Sequence, residues 1–423
     1  MVNDIRPPGP ADESKTRPEE QFPGAKPDPI ERPDNPSLVD DNAGGLSAIS
    51  LQSKSPGGNA SAGKEKSWKE KFFSRGLKLW PHTKKQKNIG IATVAGLLVV
   101  GMVSVYALNK ILKKPFEISN ASIIRDPKTT VPSRLTGVEI PIKLNERHVT
   151  SIMIENSPDA RPQSGLYEAG VVFEAIAEGG ITRFNALYLE SMPGYIGPIR
   201  SVRPYYVSLV APFHPSFVHA GGSAQGLASL KQLKINDIDH GANAAAFQRV
   251  SSRVAPHNLY SSMAALDKVT KARKYKSGDF ESWPRNRRDK PAEKAKAAKI
   301  DFNISGPLYN VHYDYNKKSN SYKRRMAGKP HVDEKAKKQM NPKVVIALVM
   351  KYSKAGIYSV YHTGGSGDMY VFQNGSVVKG RWQKSGPKSQ FKFVDKDGND
   401  IKLNPGQTWV TLFGSNSQVK YGS

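Results

Sequence analysis

The sequence of 423 residues contains no cysteine. Disulfide bridges, thiolate nucleophiles and cysteine-ligated zinc sites are therefore excluded. The absence is compatible with an exported protein whose folded part is stabilised by its hydrophobic core alone. Hydrophobic residues make up 38% of the chain, which is enough for a sizeable core, and the length allows two or three domains.

Motifs of high specificity for catalysis or cofactor binding are also missing. The sequence has no Walker-type phosphate loop, no G-x-S-x-G elbow and no H-E-x-x-H zinc motif. The glycine-rich run 364–367 has no helical pattern behind it, and His331 and Asp333 have no further ligands at metal-site spacing. We therefore predict neither a cofactor nor a metal, and the sequence leaves open whether the protein is an enzyme.

Acidic residues are few compared with basic ones. Thirty-seven Asp and Glu against 63 Lys and Arg give a net charge of +26, which suits an anionic partner. Because the topology inferred below places most of the chain outside the cell, we expect that partner to be an anionic wall polymer or a polyprenyl or lipid phosphate. Nucleic acid is not expected. The sequence does not indicate an oligomeric state.

The amino-terminal part contains three segments of contrasting composition. Residues 1–63 have few apolar side chains and an excess of acids, so we predict a disordered tail. Residues 64–88 are basic with interleaved aromatic residues, which suits either an anionic membrane surface or a plain basic flank. Residues 89–108, IGIATVAGLLVVGMVSVYAL, carry no charge over twenty positions, the length of a membrane-spanning helix.

The charge distribution around residues 89–108 predicts an orientation. Nine bases lie in 64–87, so the amino terminus is expected in the cytoplasm and the rest outside, as a single-pass plasma-membrane protein. A cleaved signal is the alternative, since Val105-Tyr106-Ala107 resembles a signal-peptidase site, but 88 residues are too many for a signal n-region. Residues 109–134 are predicted to form a stalk.

The remaining chain predicts an α+β fold that is anchored to the membrane. Residues 135–270 combine strand-like runs with a helical pattern after a glycine turn, which indicates an α/β domain. Residues 271–299 read as a charged linker. Residues 300–423 alternate apolar and polar positions around hairpin signals such as Asn374-Gly375, so we predict a mostly antiparallel β domain with the GQTWVTLF strand in its core.

Four arginines lie on turns between the short apolar runs of residues 151–219, where binding groups usually lie. The guanidinium fork suits phosphate or carboxylate, and the R-S-V-R spacing is expected to point two of them to one side of an extended segment. The alternative is internal salt bridges with acids of the same stretch. The arginines are Arg161, Arg183, Arg200 and Arg203, and the acids are Glu155, Asp159, Glu174 and Glu178.

Acid–base groups are predicted beside these arginines. Glu174 and Glu178 are four residues apart and could act as acid and base, or form salt bridges. His219 ends an apolar run and could move protons near neutral pH, or simply cap a strand. Backbone amides of the turn that follows could face an anion. The turn residues are Gly221, Gly222 and Ser223, and a weaker ligand-binding candidate is the pair His257 and Asn258.

Several long strings resemble a known family. MIENSPDARPQSGLYEAGVVFEAIAEGGITRFNALY, IGPIRSVRPYYV, VHAGGS, INDID, APHNLY and GQTWV are similar to the bacterial YerB-type lipoproteins, the DUF3048 family, over roughly residues 120–420. The resemblance implies a two-domain envelope protein of unknown function tethered by lipid or a helix. Because this sequence lacks a lipobox cysteine, the helix is expected to be the anchor.

A second similarity suggests an enzyme as the alternative. The order T-R-F, I-x-R and a Gly-Gly turn before a helix is similar to the LytR–CpsA–Psr phosphotransferases, which are anchored by an amino-terminal helix and act on polyprenyl pyrophosphates. Their Arg-Asp pair is missing here, since Ser201 follows Arg200. We therefore expect binding of an anionic or glycan envelope component in an arginine-lined cleft, with phosphoryl or glycosyl transfer as the alternative.

Overall fold

A computed structural model describes residues 129–423, together with residues 96, 99–102 and 104. The predicted tail, the basic segment, most of 89–108 and the stalk up to residue 128 lie outside the described residues. Among the residues that are described, no helix has both the length and the hydropathy that a membrane crossing requires.

Most of the regular structure in residues 129–423 is β-strand. The strands, numbered in chain order, are β1 (Thr130–Pro132), β2 (Glu139–Pro141), β3 (Thr150–Glu155), β4 (Val171–Ile176), β5 (Thr182–Tyr188), β6 (Ser216–His219), β7 (Asn236–Asp239), β8 (Phe247–Arg249), β9 (Leu259–Ser261), β10 (Lys299–Phe302), β11 (Val311–Asn316), β12 (Ser321–Met326), β13 (Lys329–Pro330), β14 (Val344–Val349), β15 (Tyr352–Ala355), β16 (Tyr358–Tyr361), β17 (Gly365–Gln373), β18 (Ser376–Lys384), β19 (Lys392–Asp395), β20 (Thr408–Phe413) and β21 (Val419–Gly422).

The helices are short. The α-helices span Ile142–Asn145, Pro204–Val210, Ala224–Gln232 and Met263–Ala272. Short 3-10 turns span Pro158–Ala160, Leu166–Glu168, Ala211–Phe213, Ala244–Ala246 and Asn416–Gln418. The apolar residues 207–210 are therefore helical, and the helix predicted after the glycine turn is present.

A ten-stranded mixed sheet forms the centre of the fold, in the order β19-β18-β17-β14-β20-β4-β5-β3-β6-β7. The strands β14, β20, β4, β3, β6 and β7 run in one direction, and β5 and β17 run against them. The carboxyl ends of the six strands that share a direction therefore lie along one edge of the sheet. We call the part of it where β3, β4 and β6 end the carboxyl edge.

Two hydrophobic layers cover the two faces of this sheet. Along β4, Phe173 and Ala175 face one layer while Val172 and Ile176 face the other, as alternation in a strand requires. The first layer includes helices 204–210 and 224–232, and the second includes helix 263–272 and a five-stranded antiparallel sheet, β13-β12-β11-β10-β21. Burial on both faces explains why the strand sequences are almost continuously apolar.

The central sheet contains strands from both predicted domains. β20, from the carboxyl-terminal segment, lies between β14 and β4 and is buried along its whole length. Residues 129–423 accordingly belong to one compact unit. The predicted stalk and linker also contribute, because β1 pairs with β2 and the side chain of Trp283 is buried in the first layer.

Candidate functional site

The carboxyl edge brings together most of the predicted site residues. Glu155 ends β3, Glu178 follows β4, Arg183 lies near the start of β5, and His219 ends β6. In sheets with parallel strands, ligands commonly bind outside the carboxyl ends of the strands. The fold therefore places these side chains where a binding site is expected.

Residues 199–203, which we call the crossing segment, run along this edge in extended conformation. The amide of Arg200 donates to the carbonyl of Met153 (3.0 Å). The amide of Val202 donates to the carbonyl of Gly221 (3.0 Å). Arg183 donates to the carbonyl of Ser201 (2.7 Å). The crossing segment thus connects β3, β5 and the turn after β6.

The crossing segment sends its two arginines to different carboxylates. Nε of Arg200 lies 3.1 Å from Oε1 of Glu155, and Nε of Arg203 donates to Oε2 of Glu178 (3.0 Å). The expectation that both side chains point to one side was wrong. In an extended chain, residues three apart face opposite sides, because side chains alternate at every position.

Glu178 is shared by two arginines. Its Oε1 lies 2.6 Å from Arg183 and 2.8 Å from Arg203, and both arginines are almost fully buried. Burial alone would raise the pKa of Glu178, but the charges and hydrogen bonds of the two arginines outweigh it, so the pKa lies below its usual value. Glu178 is thus ionised at neutral pH, and one positive charge remains on the triad.

Glu155 is the centre of a second cluster. Its Oε1 accepts from the hydroxyl of Ser157 (2.9 Å) and lies 2.9 Å from Nδ1 of His257, besides its contact with Arg200. The carboxylate is only 4% exposed, whereas the side chains of Arg200 and His257 are 26% and 21% exposed. The basic partners therefore separate Glu155 from solvent.

Arg161 differs from the other three arginines because no carboxylate within residues 129–423 lies at salt-bridge distance from it. Its guanidinium donates to Oδ1 and to the carbonyl of Asn156 (both 3.0 Å) and lies 5.1 Å from the centre of the Tyr309 ring. Burial lowers the pKa of Arg161, and the charge of Arg324 adds to that effect. Arg161 is a half-buried cation held by neutral groups.

His219 lies between two aspartates instead of facing a cleft. The ring is fully buried, with Nε2 2.8 Å from Asp237 Oδ1 and Nδ1 2.8 Å from the carbonyl of Gly221. Asp239 also accepts from the amide of Gly221 (2.8 Å). Both the histidine and the first amide of the turn are thus occupied by internal contacts.

The rest of the predicted turn site is structural as well. Ser223 caps helix 224–232 by accepting from the amide of Gly226 (3.1 Å), and a Cβ on Gly222 would collide with Val202 at 2.4 Å. Asn258 accepts from Arg249 (2.8 Å) on the β8–β9 hairpin. The amides of Gly221 and Ser223 thus donate to Asp239 and to the carbonyl of Val202, and these two are not free to face an anion as predicted.

Glu174 is sealed in the core and forms a salt bridge there. Its Oε2 lies 2.7 Å from Arg324 and accepts from the Trp409 indole (3.1 Å), and both charged side chains have no exposure. Arg324 also contacts Nδ1 of His331, whose Nε2 lies 3.0 Å from the Gln163 side chain. Burial, aided by Arg324, holds the pKa of His331 well below its usual value. Glu174 is a counter-ion in a closed network, not an acid or base open to a substrate.

Asp333, which the sequence places two residues after His331, also has a structural role. Asp333 accepts hydrogen bonds from the backbone amides of Tyr167, Lys335 and Ala336. Residues 129–423 contain no group of three or more His, Asp or Glu side chains arranged to hold a metal ion.

Three surface cavities of residues 129–423 are lined by other parts of the chain. None of the predicted site residues lines them. Their volumes are about 530 Å³ (residues 212, 214, 279–281, 383–385, 388–390 and 392), 490 Å³ (301–303, 307, 310–312, 328, 418 and 420) and 250 Å³ (194–195, 245–248, 260–262 and 265).

Comparison with known proteins identifies the family. The model of the DUF3048 amino-terminal domain, a protein of unknown function, matches residues 135–276, and that of the DUF3048 carboxyl-terminal domain matches residues 300–410. A relative from Bacillus subtilis (strain 168), described as "Putative lipoprotein YerB", is 31% identical over 299 residues, which cover 68% of this chain and 88% of the relative. The chain belongs to the DUF3048 family.

The similarity to DUF3048 proteins extends to the fold. A crystal structure of YerB protein from Bacillus subtilis superposes with a TM-score of 0.63 at 26% identity, covering 69% of this chain and all of that chain. The family resemblance of the sequence is thus confirmed. The segments that the two family models match contribute neighbouring strands to one sheet, because β4 pairs with β20.

Several residues at the carboxyl edge of this DUF3048 protein could not be identified as site residues from the sequence. Glu155 was expected only as a possible salt-bridge partner, and nothing local distinguished Tyr309 or Tyr358. Tyr358 lies 5.5 Å below the guanidinium of Arg203, from a hairpin far along the chain. The available signal was the cluster of arginines on turns; their partners required the fold.

Proposed function

We propose that this DUF3048 protein is an extracytoplasmic envelope protein anchored to the plasma membrane by residues 89–108, with its amino terminus in the cytoplasm. The charge-free run of twenty residues and the nine bases before it support this topology. The lipoprotein name of the YerB relative supports a location at the membrane.

We infer that the folded unit binds an anionic or glycan envelope component at the carboxyl edge. The observation that carries the proposal is the half-buried guanidinium of Arg161, which is held by Asn156 and not by an acid. Arg161 has no acidic partner within residues 129–423, and Glu178 is shared by Arg183 and Arg203. Guanidinium groups that are partly buried and incompletely neutralised are well suited to phosphate or carboxylate ligands.

Transfer chemistry has less support than binding. A transferase needs an acid or base that reaches the substrate, but Glu174 is fully buried on Arg324. Glu178 and His219 are held by arginines and aspartates respectively. Binding by the arginines requires none of these three groups to change protonation.

The test is a binding titration of the full chain with polyglycerol phosphate and with a polyprenyl phosphate at two salt concentrations. Arg161→Ala is compared with Arg381→Ala, an exposed arginine that pairs with Asp368 on the β17–β18 hairpin. We expect saturable binding that Arg161→Ala weakens by about tenfold or more, because it loses a charged hydrogen bond of roughly 1.5–3 kcal/mol. Arg381→Ala should bind like the wild type.

A further variant separates charge from geometry. Arg161→Lys keeps the charge but loses the planar fork, and we expect intermediate affinity. Equal affinity of all variants, with binding abolished by salt in each, would mean that only diffuse surface charge attracts the ligand. The binding site would then not be at the carboxyl edge.

A further inference from the structure

Three loops around the carboxyl edge each expose one large aliphatic side chain. Val254 is 81% exposed, Leu308 54% and Ile357 66%. A single exposed aliphatic side chain is ordinary on a protein surface. Three of them, on separate loops next to the same group of arginines, form a pattern that needs an explanation.

Contacts connect all three loops to the arginines. In loop 250–257, Arg253 donates to the backbone carbonyls of Asp159 (2.8 Å) and Arg161 (3.3 Å). In loop 303–310, Tyr309 lies under the guanidinium of Arg161. These two loops therefore adjoin Arg161 from different parts of the chain.

The third loop adjoins the triad of Arg183, Glu178 and Arg203. It is the hairpin 351–361, where the carbonyl of Ile357 accepts from the amide of Gly179 (3.1 Å) and the Tyr358 ring lies under Arg203. Loop 303–310 reaches the same turn, because Ser305 donates to the carbonyl of Gly180 (2.6 Å). The three loops that carry the aliphatic side chains thus adjoin one another at the carboxyl edge.

The composition of the loops points to the kind of partner. Segments 250–257, 303–310 and 351–361 contain no Asp or Glu, and Lys351 and Lys354 are exposed. The third base, Arg253, lies 3.7 Å from Glu334 and is largely buried. A soluble anionic polymer would be bound by the charges alone and would gain nothing from exposed aliphatic side chains. A partner whose surface is anionic and whose layer just beneath is apolar would bind both the basic and the aliphatic side chains.

We propose that the carboxyl edge docks on the surface of an anionic lipid bilayer. Val254, Leu308 and Ile357 enter the boundary between headgroups and acyl chains, and the exposed Lys351 and Lys354 and the half-buried Arg161 contact lipid phosphates. The proposal rests on the proposed function for the role of the arginines, and it names the partner as the membrane itself. The aliphatic side chains lose water contact on docking, which favours the bound state.

The absence of cysteine makes a direct test possible. Val254→Cys, Leu308→Cys or Ile357→Cys gives the full chain one site for an environment-sensitive fluorophore. Met192→Cys is the matched control, since Met192 is also apolar and 47% exposed but follows β5 at the opposite edge of the sheet. Each labelled chain is reconstituted into vesicles of phosphatidylcholine, with or without phosphatidylglycerol.

We expect a blue shift of emission, and quenching by spin-labelled acyl chains, at the three loop positions in vesicles containing phosphatidylglycerol. The Met192 position should remain in water. Serine at the other two loop positions should reduce the blue shift, because the docking area is smaller. Unshifted emission at all three loops, equal shifts at Met192, or shifts that depend on protein concentration and not on anionic lipid would overturn the proposal.

The two proposals can fail separately. Saturable binding of polyglycerol phosphate that depends on Arg161, with loop labels that stay in water, would retain the proposed function and reject docking. Lipid-dependent shifts without any polymer binding would support docking and reject a soluble polymer as the ligand.

Discussion

Glu174 and Arg324 show how burial decides the role of a charged residue. The two side chains lie 2.7 Å apart with no exposure, and the guanidinium stacks 4.5 Å from the centre of the Trp409 ring. Removing two charges from water is costly, and the hydrogen bonds of Trp409 and Thr182 to the carboxylate offset part of that cost. The pair fixes how β4 and β12 meet through the second layer.

Removing one partner of this pair should be strongly destabilising. Arg324→Met leaves Glu174 buried without a counter-ion, and we expect a loss of about 3–5 kcal/mol in the free energy of unfolding. The double variant Glu174→Gln, Arg324→Met should recover part of that loss because no charge stays buried. Denaturant unfolding followed by tryptophan fluorescence measures both.

The exposed pair Arg381 and Asp368 is the control, since Arg381→Met should cost no more than about 1 kcal/mol. A loss of that small size in Arg324→Met would contradict a structural role for the buried pair.

For single residues, the sequence indicated which residue types could form ion pairs but not which residues would pair with each other. The alternative of internal salt bridges is correct for Glu155 with Arg200 and for Glu178 with Arg183 and Arg203. The partner of Glu174 could not be found, because Arg324 is 150 positions away and no local pattern reports so distant a contact.

The elements of the carboxyl edge are held by backbone geometry as much as by charge. Gly179 and Gly180 form the turn after β4 with φ of 58° and 81°, a region that favours glycine. This turn positions Glu178 beside Arg183 and Arg203, and the carbonyl of Gly180 accepts a hydrogen bond from Ser305. The position of the triad thus depends on two residues without side chains.

Gly180→Ala should destabilise the protein although space is available. A Cβ there would meet only Ser305 Cβ, at 3.9 Å, so the cost is the left-handed backbone, roughly 1–2 kcal/mol. Gly386→Ala is the control, because Gly386 has no left-handed φ and a Cβ would meet Ser389 Oγ at 3.7 Å. Thermal unfolding should separate the two variants; equal melting temperatures would refute the role of the turn.

The sequence predicted many elements but not the crossing segment. The apolar runs that become β4 and β5, helix 224–232, the Asn374-Gly375 hairpin and the buried β20 all follow from periodicity and turn residues. Residues 199–203 have no such pattern. Their extended path is set by contacts with β3, β5 and the turn after β6, which exist only in the assembled sheet.

Residues 129–423 combine the two family segments in one sheet and carry a cluster of arginines at its carboxyl edge. Composition predicted the excess of 63 bases over 37 acids, but it could not show where unneutralised charge lies. The fold places Arg161 and the triad of Arg183, Glu178 and Arg203 at the carboxyl edge, beside the loops 250–257, 303–310 and 351–361, which contain no Asp or Glu. Asp159, two residues before Arg161, is an exposed acid of the same edge. Our central claim is that this edge is the ligand-binding surface.

Hydrogen–deuterium exchange of the full chain, with and without polyglycerol phosphate, tests that claim most directly. We predict slower amide exchange in residues 156–163, 199–203 and 250–257, which adjoin Arg161 and Arg200, and no change around Met192 at the opposite edge. Protection confined to the lysine-rich segment 317–338, or spread evenly over the surface, would contradict the claim and leave the arginines of the carboxyl edge with a structural role only.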